Sequence, residues 1–109
     1  MPGTMIPRGN IVAFFLCRPT LTPASVAANI TAEQTFTVSG LQVGDFVSVN
    51  PQAAQTAGVG IVGSRVSSAN TLAINFNNET AGALTPVSGA HLVTVIRSES
   101  VPDLPVTAV

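Results

Sequence analysis

The sequence has no lysine, no tryptophan and no tyrosine, one cysteine, one histidine and only 8% charged residues. Average usage would place about 27 charged residues in a chain of this length. Here there are four arginines (Arg8, Arg18, Arg65, Arg97) against Glu33, Asp45, Glu79, Glu99 and Asp103, for a net charge of -1. A nucleic-acid binder needs a basic face to displace counterions from phosphates, so that class is excluded. Without Trp or Tyr the chain lacks the rings that stack on sugars and bases. The lone Cys17 allows no internal disulfide, which fits a reducing compartment or a non-covalent assembly. One Cys, one His and scattered acids make neither a zinc nor a calcium site, and the absence of lysine excludes a Walker loop. No cofactor and no metal are expected.

Long apolar runs are missing as well. The longest is Ile11–Cys17 (IVAFFLC), seven residues closed by Arg18 and Pro19, far short of the 18 or so that cross a membrane as a helix. As the apolar stretch of a signal peptide it is minimal, with Ser25, Val26 and Ala27 as a candidate cleavage site. Two prolines and a single Arg8 precede it, so neither a cleaved leader nor a membrane partner is expected.

What is present is β-forming. The 109 residues, 46% of them hydrophobic with a mean hydropathy of +0.49, make one domain able to bury a core of its own. Residues 26–97 alternate apolar with Thr and Ser between Gly and Asn punctuation. Strands are predicted over residues 35–38, 45–49, 60–67, 71–76 and 91–97, with a bulge or close approach at the glycines of the third. Residues 26–34 carry helical spacing at Val26 and Ile30 but lead straight into the first strand, and are read as strand. Six to eight such strands predict an all-β fold, an antiparallel β-sandwich or small barrel. Four prolines within residues 1–23 and two after Ser98 predict extended arms over 1–25 and 98–109, each with at most one short strand, flanking a domain over 26–97; Ile11–Cys17 reads as a strand or an arm packed on something apolar. A chain this apolar and uncharged is expected to be covered by other copies or other proteins. The expected contacts are Arg8, Phe14, Phe15, Arg18, Pro102 and Leu104, and a homo-oligomer, with a trimer suiting arm exchange, is the expected form.

Candidate chemistry is thin. Gly58, Gly60 and Gly63 match the spacing of a dinucleotide fingerprint, with Glu79 placed for a ribose. Such a fingerprint needs a helix after the last glycine, and residues 64–70 do not read as one. His91 opens a strand and reads as a surface residue. Two sequons, at Asn29 and Asn78, are what about 1.3 chance matches would give from seven Asn and 21 Ser plus Thr.

Four stretches, Ala32 to Val38 (AEQTFTV), Gly40 to Val47 (GLQVGDFV), Arg65 to Thr71 (RVSSANT) and Val93 to Arg97 (VTVIR), resemble a small β-domain of virion proteins of tailed bacteriophages. Its pattern runs TxTVxG, VGDxV, RVSAANT and VxVIR; Ser68 stands where alanine is common. The resemblance covers residues 26–97 and leaves both arms unmatched. It implies a structural, non-enzymatic role and a virion location, with assembly in the host cytoplasm. The first expectation is a capsid decoration (cement) protein bridging copies of the major capsid protein. The alternatives are a tail, fibre or neck component, or a secreted adhesin or surface-layer module.

Overall fold

The computed structural model describes residues 10–99, 104, 106 and 107. Seven strands form: β1 (Ile11–Cys17), β2 (Thr20–Leu21), β3 (Ile30–Thr37), β4 (Phe46–Pro51), β5 (Val59–Ser68), β6 (Thr71–Asn78) and β7 (Gly89–Ser98). They make two antiparallel sheets. In the first, β7 is central: β1 and β2 pair along one side of it and β4 along the other. In the second the order is β3-β6-β5.

The pleat sets the core. Leu72, Ile74 and Phe76 of β6 and Val93 and Val95 of β7 point inward and are fully buried, joined by Val47 of β4 and Val59 and Val66 of β5 in one hydrophobic cluster between the sheets. The fold is therefore the all-β sandwich expected. The five sequence-predicted strands are present, and the glycine segment of β5 is bulged, with register shifting between Ile61 and Gly63.

Three expectations need revision. Residues 26–34 are strand only from Ile30. Val26 makes an isolated bridge to Leu84, and Asn29 (φ 57°) turns the chain before β3 starts. His91 is not a surface residue: it is fully buried on the inner face of β7, with Nδ1 2.8 Å from the Gly89 carbonyl. Residues 11–21, expected to be part of an arm with at most one short strand, supply two strands, β1 and β2. Phe15 and Cys17 pack against the core from there. The prolines lie outside the pairing segment, which is why the strand is allowed.

Two polar devices close the ends of the sandwich. At one end Arg97 forks onto Asp45, Nε donating to Oδ1 at 2.9 Å and Nη2 to Oδ2 at 2.8 Å, while Nη2 also donates to the Gly40 carbonyl. The Gln42 amide donates to Asp45 Oδ2 at 2.9 Å. The arginine bond is the main reason the Asp45 carboxyl is held below its ordinary range, against the opposing effect of burial. Gly40 (φ 98°) and Gly44 (φ 96°) let the intervening loop turn tightly enough to bring these groups together.

At the other end Asn78 is fully buried. Its Nδ2 donates to the carbonyls of Val26 (3.0 Å) and Gly82 (2.9 Å), and its Oδ1 accepts from the Thr80 amide and hydroxyl. The residue read as a chance sequon is thus the fastener of the β6–β7 connection. Asn78→Ala is expected to leave several buried groups unpaired and cost about 2 kcal/mol or more, read as a lowered urea midpoint with unchanged slope.

Candidate interaction face

The outer faces of the two sheets differ. On β3, Thr31, Glu33, Thr35 and Thr37 point to solvent between inward residues, the pattern of a sheet with one wet side. Beside them Arg65 of β5 grips Glu33 through two hydrogen bonds of 2.8 and 2.9 Å, which lowers the Glu33 pKa and raises that of Arg65. This outer face is polar.

The outer face of the first sheet carries no charged residue along its strands. The exposed positions of β1 are Val12, Phe14 and Leu16, at 51%, 67% and 57% accessibility. Strand register sets Phe14 beside Ile96 of β7, and Ile96 beside Phe46 of β4, itself 60% exposed. Two phenylalanines therefore flank an isoleucine in one row across the sheet. The next row runs from Leu16 through Thr94 to Ser48. Val43, also exposed, lies in the loop leading to β4. With about 200 Å² for a phenylalanine side chain, the two Phe residues alone present about 250 Å² of apolar surface. The largest patch on an ordinary monomer is about 300–600 Å², and exposed Val12, Leu16 and Val43 extend this one beyond the two rings. Exposed Ile30 and Val62 belong to the second sheet, at the start of β3 and the bulge of β5.

The six residues expected to meet a partner are dispersed. Phe14 stands on this face. Phe15 points the other way, half-buried against the core, with the Arg97 guanidinium 5.4 Å from its ring centre. Arg18 is exposed just beyond β1, 3.5 Å from Gln52 Oε1. Leu104 is half-buried. Arg8 and Pro102 lie outside the described residues. Phe46 and Ile96 are not singled out by the sequence; the strand register is what sets them in one row with Phe14.

The remaining surface holds little chemistry. Gly58, Gly60 and Glu79 do line a common depression of about 190 Å³, and the Glu79 amide donates to the Gly58 carbonyl at 3.2 Å. Yet Gly60 and Gly63 lie within strand β5, so no helix N-terminus faces a phosphate there. A second depression, about 290 Å³, is lined by Val12, Val43, Asp45 and Arg97, whose two charges are bound to each other. Among the described residues no three His, Cys, Asp or Glu side chains cluster to hold a metal, and no helix is long and apolar enough to cross a membrane. Burial lifts the Cys17 thiol above its ordinary range, the opposite of what activates a nucleophile.

No family model, curated protein or solved structure matches the chain.

Proposed function

We propose that this chain is a non-enzymatic structural protein of a phage virion, a capsid decoration protein whose apolar sheet face seats on the shell and bridges neighbouring capsid subunits. The observation that carries the reading is the uncharged outer face of β1, β7 and β4. Water is a poor neighbour for two exposed phenylalanines in one row, and a protein surface is the cover that such a face fits. The likeness of residues 32–47, 65–71 and 93–97 to virion β-domains supports the same conclusion, and the scarcity of charge suits a protein that works covered.

Removing residues 1–23 would take β1 and β2 out of the first sheet, whereas removing 1–9 leaves all seven strands.

The test is localisation. Antibody raised against the purified chain is applied to phage particles from the bacterium that carries the gene, and gold label is viewed by electron microscopy. Regular label over the heads is expected. Label confined to tails replaces decoration by a tail role, and unlabelled particles with the chain found only outside them overturn the virion assignment.

A further inference from the structure

A sandwich of two open sheets has four edges, and three of them are managed here. The edge of β4 lies along β5, where Ser64 Oγ donates to the Val47 carbonyl at 3.0 Å; this seam accounts for two edges. Along β3, the Gln34 side-chain amide exchanges two 2.8 Å hydrogen bonds with the Ala24 backbone, and Glu33 puts a charge on the strand. Both are ordinary ways of blunting an edge.

β1 is the least protected of the four: its one such device is a register shift between Ile11 and Ala13 at its start, and from Ala13 to Cys17 the strand pairs regularly. It pairs with β7 along one side. Among the described residues nothing hydrogen-bonds its other side, and Ile11–Cys17 contains no proline and no charge. Alternate N–H and C=O groups of an antiparallel strand point away from its partner, so β1 presents an open row of donors and acceptors.

The sequence of that row matches itself in reverse. Turned about its centre at Phe14, the strand sets Phe14 against the same residue of a second copy and Val12 against Leu16 on the outer side. On the inner side it sets small Ala13 against large Phe15, and Ile11 against Cys17. No charge meets a like charge, and every outward pair is apolar with apolar. Self-complementarity of this kind is what a two-fold interface requires, and backbone pairing at an open edge is one way to make it.

We infer that two copies of this chain pair their β1 strands antiparallel about a two-fold axis at Phe14. The two first sheets then join edge to edge as β4-β7-β1-β1-β7-β4. Because that axis runs perpendicular to the sheet, both apolar faces end on the same side and form one surface of twice the area. The pairing does not depend on the virion assignment, and a dimer that labels no phage head would separate the two.

Light scattering on the full-length protein reads the mass. A dimer, twice the chain's 11.1 kDa, is expected. Phe14→Lys is expected to give monomers at the same concentration with an unchanged circular dichroism spectrum, since Phe14 is mostly exposed and two lysines would face each other across the axis. Phe46→Lys, two strands away, is expected to stay dimeric. Phe14→Cys in a Cys17→Ser background is expected to crosslink under oxidised glutathione, because directly opposed positions lie within disulfide reach. A monomeric or trimeric natural protein overturns the inference. So does a dimer that survives Phe14→Lys, or one that Phe14→Cys does not crosslink.

Discussion

Asp45→Ala is expected to destabilise the fold by about 3 kcal/mol, because it leaves the Arg97 guanidinium without its partner at the end of the core. The Asp45 side chain is 2% exposed and that of Arg97 21%, so water replaces little of what is lost. The substitution also removes the acceptor for the Gln42 amide and frees the loop that Arg97 ties through Gly40. Acid should reproduce part of the effect. The folded-state pKa of Asp45 is depressed, so its contribution is fully present above the unfolded value of about 3.9 and fades as pH falls through the lower folded value. Urea midpoints measured from pH 7 down to pH 2 should fall at the acid end for the natural protein and fall less for Asp45→Ala. Equal acid slopes for the two would show that this pair does not carry the pH response.

Phe46→Glu is expected to leave stability nearly unchanged and to weaken attachment to phage heads by about 100-fold, the effect of burying one unpaired charge in an apolar contact, about 3 kcal/mol. Phe46 is the residue for this test because it lies on β4, away from the open β1 edge, so self-association is left alone. Co-sedimentation with heads that lack the protein measures the loss. Glu33→Gln on the polar face of the second sheet is the matched control and should bind as the natural chain does. Equal binding by Phe46→Glu would remove the first sheet from the shell contact.

The strands of residues 30–98 were legible because period-two alternation survives in a chain this poor in charge. Leu72, Ile74 and Phe76 declare one side of β6 without ambiguity, and Gly60 and Gly63 mark the bulge of β5. Long-range partners were not legible. Nothing near Ile11–Cys17 says that its ladder partner is β7, and the prolines around it read as an arm. The Arg97–Asp45 fork joins two of the four stretches that resemble virion domains, the VGD turn and the VIR strand, yet each looks like a generic motif alone. Asn78 and His91 were misjudged for a common reason: polar residues at strand ends are usually wet, and only the loop folded over them decides otherwise. The interaction face was half legible. Phe14 was named from the apolar run, whereas Phe46 and Ile96 needed the register that lines them up.

The central place of β7 sets the order in which the molecule can be made. Its ladder with β1 joins residues separated by about 80 positions, and both β1 and β4 wait for a strand that is translated near the end. Pairing over such separations is slow relative to local hairpins such as β5–β6. During synthesis the second sheet can close first, while the greasy IVAFFLC segment trails unshielded behind the ribosome. Chains stalled before residue 89 would lack the ladder partner of that segment and leave both of its faces open to aggregation.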